Sequence, residues 1–92
     1  MTKIWKWFIP IEGDFTTIEM PVNAEILCVQ TQGNLIVIWA MCNDYLPREK
    51  RHFEVIGTGH TIYDTNEDLE RKYIGTVQIS RFVWHVFERV TT

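Results

Sequence analysis

The stretch "EILCVQTQGNLIVIWAMC", Glu25–Cys42, decides how this chain is read. Two β-rich apolar runs flank Gln32-Gly33-Asn34, the composition of a tight hairpin turn. With Gly33 and Asn34 as the two central turn residues, Cys28 lies opposite Trp39 and Val29 opposite Ile38. In that register Cys28 and Cys42 point to opposite faces of the ribbon. They cannot form a disulfide there, since that bond needs Cα atoms within roughly 7 Å. The eight residues "LIVIWAMC" (Leu35–Cys42) are the longest apolar run and suit a strand buried on both faces. A bilayer-crossing segment needs roughly 18 apolar residues, so no membrane span is expected.

Outward from this hairpin, strand signals continue. In "KIWKWFIPIE" the alternation places Trp5, Trp7, Ile9 and Ile11 on one face and Lys6 and Phe8 on the other. Pro10 cannot donate to a ladder, which makes this an edge strand or ends it there. "TTIEM" reads as a short strand between the turn "EGDF" and the break "PVNA". Beyond the loop "NDYLPREK", "KRHFEVIG" is a strand with Arg51, Phe53 and Val55 on one side and His52, Glu54 and Ile56 on the other. "YIGTVQI" and "FVWHVFERV" form a second hairpin around Ser80-Arg81. "DTNEDLERKY" is the single helical candidate, with Thr65 as cap and acidic residues in its first turn, giving a short helical turn near 66–72. The expected fold is all-β and mainly antiparallel: about seven short strands in one domain, residues 1–92, forming a small sandwich or open barrel.

Several strands carry large apolar groups on both faces. In "FVWHVFE", Phe82, Trp84 and Val86 take one side, and Val83, His85 and Phe87 the other. A chain of 92 residues has little material for two complete cores, so a homo-oligomer is expected. The competing reading is a closed barrel with ordinary aromatic exposure.

Composition narrows the function classes. The net charge of -3 argues against general nucleic-acid binding, which goes with a basic excess. The opening "MTKIWKWFIPIEGD" does not read as a signal peptide, and two cysteines are too few for a disulfide scaffold. Reduced thiols in a cytoplasmic setting are therefore expected.

No chemical motif is complete. Ser80, the one serine, sits in a turn, both cysteines sit in apolar strands, and the carboxylates are scattered. An enzyme is not expected, and no catalytic residue is assigned. His52, His60 and His85 lie on three segments without metal-ligand spacing, so neither metal nor cofactor is expected. His85, within "VWHVF", reads as a core imidazole bonded to a backbone carbonyl. "DTNEDLE" begins like a calcium loop, but Leu69 stands where the glycine belongs and Gly75 where the bidentate glutamate belongs.

Two features suggest binding. In "VIGTGHTIYD" the glycines Gly57 and Gly59 around Thr58 let backbone approach a ligand, and His60 adds a titratable donor. The structural alternative is a turn at a strand end. "PREKRH" is the one basic cluster, with Arg48, Lys50 and Arg51 suited to a phosphate. Its structural alternative is a solvated strand entrance. The strand between these two features spans roughly 26 Å, so they cannot share one small pocket within a chain.

The order "IWKW…IP", "TIEMP…AEIL", "GTGH" and "YIGTVQ…FVWHVFE" resembles a family of small, uncharacterised phage- and prophage-encoded proteins, a domain of unknown function. The resemblance runs from Ile4 to Glu88, and the "DTNEDLERK" segment is longer than the pattern. It implies a short accessory gene product in the host cytoplasm and brings no catalytic set. Such proteins commonly act against host defences.

The resulting expectation is a non-enzymatic accessory binding protein that sequesters a nucleotide-type signal or blocks a host defence protein. Its ligand site, placed at a subunit boundary where the two features of different chains can meet, would draw on Gly57, Thr58, Gly59, His60, Arg48, Lys50, Arg51 and the stacking face of Tyr63 or Trp5. The alternative is a structural protein that docks on a phage or host protein through an aromatic face, with Trp5, Trp7 and Trp84 at the interface.

Overall fold

The computed structural model describes residues 1–11, 15–62 and 69–91. Seven strands follow in chain order: β1 (Thr2–Ile9), β2 (Thr16–Pro21), β3 (Glu25–Gln32), β4 (Leu35–Asn43), β5 (Arg48–Gly57), β6 (Leu69–Ile79) and β7 (Phe82–Thr91). They form two antiparallel sheets with strand orders β1-β4-β3 and β2-β5-β7-β6. The sheets face one another as a sandwich, without barrel closure and, among the described residues, without a helix.

The central hairpin has the expected register, with Cys28 opposite Trp39, Val29 opposite Ile38 and Gln32 opposite Leu35. Gly33 adopts φ 60, which a tight two-residue hairpin turn demands and glycine supplies without strain. Both cysteines are free, Cys42 buried and Cys28 half-buried on the other face. The second hairpin turns at Ser80-Arg81, pairing Ile79 with Phe82. β1 is an edge strand that stops before Pro10, with Trp5, Trp7 and Ile9 turned towards the core.

The expected helical turn near 66–72 is corrected. Its last four residues, Leu69–Lys72, belong to β6, and residues 66–68 lie outside the described residues. Capping signals and acidic first-turn residues are local, whereas β6 gains a long antiparallel ladder against β7 from Leu69↔Thr91 onward. One or two helical turns cannot outweigh that pairing.

One core joins all seven strands: Ile9, Ile18, Met20, Val29, Ile36, Ile38, Phe53, Val77 and Val86 are among its members. Burying one such side chain is worth about 1.5–3 kcal/mol. Two buried glutamates are paired. Glu88, beside the interior, receives Arg51 through Nε at 2.6 Å and Nη2 at 2.7 Å. Arg51 also donates to the carbonyl of Ala24 at 2.6 Å, so it ties β5 and β7 to the turn that leads into the other sheet. Glu54, on the outer face, receives Arg71 Nε at 2.8 Å, while Arg89 Nε lies 2.9 Å from the same oxygen but off the hydrogen-bond direction.

Candidate functional site

The turn 57–60 closes the end of β5. His60 N–H donates to the carbonyl of Gly57 at 3.0 Å, and Gly59 takes φ 85, the third position of a type II turn. Thr58 N–H donates to the carbonyl of Val83 at 3.1 Å. The amides of Thr58 and His60 are thus spent inside the molecule, and the turn is no open nest of backbone donors. What it does present is the His60 ring, which meets Trp84 edge to face with centroids 5.8 Å apart.

Gly57 makes this contact possible. It pairs with Trp84 across the β5–β7 ladder, and a Cβ on it would lie 2.7 Å from His60 Cε1 and Nδ1 and 3.0 Å from Trp84 Cζ3. The residues around the turn enclose a slot of about 240 Å³ lined by Gly57, Thr58, His60, Arg81, Phe82, Val83 and Trp84. Phe82 lies 6.4 Å from Trp84 with a tilt of 36°, and the Arg81 guanidinium sits 5.7 Å above the Phe82 ring. Arg81 has no carboxylate partner among the described residues, so its donors face solvent at the slot mouth.

The basic residues lie elsewhere. Arg48, Lys50 and Arg51 open β5 while Gly57 ends it, so the structure does not bring the two groups together. Arg48 donates to the carbonyl of Leu46 at 2.9 Å and stacks over Trp5 at 5.3 Å. Arg51 is committed to Glu88, whose hydrogen bonds raise its already high pKa against the opposing effect of burial. Lys50 and Arg51 line a separate open cleft of about 780 Å³ with His52, Arg71, Lys72 and Arg89. Trp5 and Trp7, 6.3 Å apart edge to face, are half-buried and pack on the core, as does Trp84. Tyr63 lies outside the described residues.

His85 departs from its sequence reading. It is half-buried on the outer face of the four-stranded sheet and bonds to hydroxyls, not to a carbonyl: Thr58 Oγ1 at 2.7 Å from Nε2 and Thr76 Oγ1 at 3.0 Å from Nδ1. Thr76 in turn contacts the Tyr73 hydroxyl at 2.6 Å. Strand parity explains the change: His85 shares its side of β7 with Val83 and Phe87, away from the core residue Val86.

Sequence reasoning found the turn but missed Arg81, Phe82 and Val83. Their place beside the turn follows from the antiparallel β5–β7 ladder, which pairs Gly57 with Trp84. That pairing joins segments 27 residues apart and leaves no local trace.

The chain belongs to the family described as a domain of unknown function (DUF7352), whose family model matches residues 1–92. No curated protein and no solved structure matches it. Among the described residues, no helix is long and apolar enough to cross a membrane.

Proposed function

We propose that the protein is a non-catalytic binding protein that captures a small planar aromatic ligand carrying negative charge, of nucleotide type, in the slot beneath the 57–60 turn. The observation that carries this reading is the absence of a Cβ at Gly57. It lets His60 stand against Trp84 and so shape a 240 Å³ slot with Phe82. Aromatic walls favour a flat ring, with stacking worth about 1–3 kcal/mol per base. Arg81 at the mouth supplies donors for a phosphate or carboxylate. His60 adds a ring nitrogen that no described group occupies. In the phage setting that the sequence pattern implies, such capture would withdraw a nucleotide signal from a host defence in the cytoplasm.

The test is calorimetric and fluorescence titration with purine and pyrimidine mononucleotides, with inorganic phosphate as control. Binding of a mononucleotide that quenches tryptophan emission, lost in Arg81→Ala and in Trp84→Leu with the fold intact, supports the reading. Equal response to inorganic phosphate, or none to any mononucleotide, sinks it. The docking alternative draws support from a different surface, since Trp5 and Trp7 pack on the core while the exposed Ile4, Phe8, Leu35 and Met41 stand on the outer face of β1-β4-β3.

A further inference from the structure

Strand parity puts Ile4, Lys6 and Phe8 of β1, Leu35, Val37, Trp39 and Met41 of β4, and Glu25, Cys28, Gln30 and Gln32 of β3 on the outer face of the three-stranded sheet. Ile4 is 59% exposed, Leu35 55%, Phe8 50% and Met41 38%. In an antiparallel sheet with one wet face this row should be polar. Three strands about 4.8 Å apart and eight residues long at about 3.3 Å each cover roughly 14 by 26 Å. Apolar and polar side chains share this face, and two copies of it in contact cover roughly 730 Å² in plan, the extent of a weak, transient association.

The charges on this face identify the occupant. Lys6 does not stand upright over its own strand. Its ammonium reaches across β4 and donates to Gln32 Oε1 at 2.7 Å, passing 5.5 Å from both the Phe8 and the Trp39 ring. Val37, beneath, is completely buried although it points outwards. Among the described residues, the one cation of this face is therefore held at the Gln32 end of β3, and the one carboxylate, Glu25, lies at the opposite end, roughly 23 Å away along the strand.

We infer that this face is the interface of a homodimer, formed by a two-fold axis that runs across the strands above Trp39 and Cys28. That axis exchanges the two ends of β3. It sets the Lys6 ammonium of one protomer against Glu25 of its partner, twice, while Ile4 meets Phe8 and Met41 meets the Val37–Leu35 stretch. The other two-fold, parallel to β4, leaves the two ammonium groups near each other and each Glu25 without a cation. Like charges opposite one another disfavour it. The preferred arrangement is isologous, with aligned sheet-on-sheet packing about 10 Å apart. It also places Cys28 of one protomer directly across from Cys28 of the other, whereas the rejected axis separates them by two strands.

The dimer leaves the slot at Trp84 free, so its test does not depend on the ligand reading. Sedimentation equilibrium and native mass spectrometry of the full chain at micromolar to submillimolar concentration should show a monomer–dimer equilibrium. Lys6→Glu alone, or Glu25→Lys alone, should raise the dissociation constant by about tenfold or more, and the double reversal should return it to within about threefold of the original. Because Lys6 and Glu25 are too distant to meet within one chain, rescue can arise only between chains. A short bis-maleimide crosslinker, which spans the roughly 10 Å between facing sheets, should give a covalent dimer that Cys28→Ser abolishes and Cys42→Ser does not. A strict monomer over this range overturns the proposal, as does a dimer in which the double reversal fails to rescue binding.

Discussion

Gly75 on β6 and Val29 on β3 touch across the two sheets: a Cβ added at Gly75 would stand 2.6 Å from Val29 Cγ1. No backbone strain is involved, because Gly75 does not take a positive φ. The glycine is there for space, and it sits beside the register shift between Tyr73 and Gly75 that bends β6 over the interior.

Gly75→Ala should therefore destabilise by about 1–3 kcal/mol through overpacking. Val29→Ala should also destabilise, by cavity formation, but the double variant should be more stable than the two single effects predict. Urea denaturation of the four proteins in a double-mutant cycle reads the coupling. Additive effects would mean that the sheets do not meet at these residues.

Gly57→Ala acts on the slot more than on the fold. The first atoms met belong to His60, an exposed side chain that can swing away, so the stability loss should stay near about 1 kcal/mol. The ring contact should go. In proton NMR the His60 ring resonances should move towards ordinary values once Trp84 no longer lies against them, and mononucleotide binding should be lost with that contact.

Ser80 holds φ 56 at the tip of the second hairpin, a conformation that costs an L-residue about 1–2 kcal/mol. Ser80→Gly removes that strain and returns part of the gain to the unfolded chain as entropy. A net stabilisation of about 0.5–1 kcal/mol is expected, visible as a melting temperature higher by roughly 3–6 °C. The equivalent glycine is already present at Gly33.

Glu88→Ala strands the Arg51 guanidinium, which otherwise lies between Glu88 and the Ala24 carbonyl. Breaking a mostly buried pair from one side costs about 3 kcal/mol. Replacing both partners, Arg51→Met with Glu88→Leu, should restore much of that loss because no uncompensated charge remains. Chemical denaturation at neutral pH measures both.

Asp44 bonds the Lys3 ammonium at 2.7 Å, and this contact, more than any other influence, holds its carboxyl below the ordinary value of 3.8. A group whose folded pKa is depressed contributes stability above its unfolded pKa and loses it as pH falls through the folded one. The contribution is complete above 3.8 and fades as the solution becomes more acidic than that. Denaturant midpoints followed downward from about pH 5 should fall less steeply in Asp44→Asn than in the parent.

The two hairpins show how much of the fold was legible. Gln32-Gly33-Asn34 and Ser80-Arg81 are turn chemistry written in adjacent residues, and period-2 alternation assigned inward and outward faces in "KIWKWFI" and "FVWHVFE". The segment around 69–72 misled because capping signals are equally local but weaker than a ladder. For the site, the turn at Gly57–His60 was visible, while its companions Phe82 and Arg81 were not, since their place depends on β5 lying beside β7.

By itself, then, the sequence determined what is encoded between near neighbours: seven extended segments, two tight turns, the parity of each strand and the register of Cys28 against Trp39. Only the tertiary structure decided which strand joins which sheet. It tied Arg51 to Glu88, a partner absent from its own segment, and it turned the Lys6 ammonium across β4 to Gln32. The physical reason is that a strand's side-chain period is a property of its own backbone. Its choice of neighbour depends on what remote segments can bury together, and the loop-closure entropy of bringing them there leaves no mark on either one.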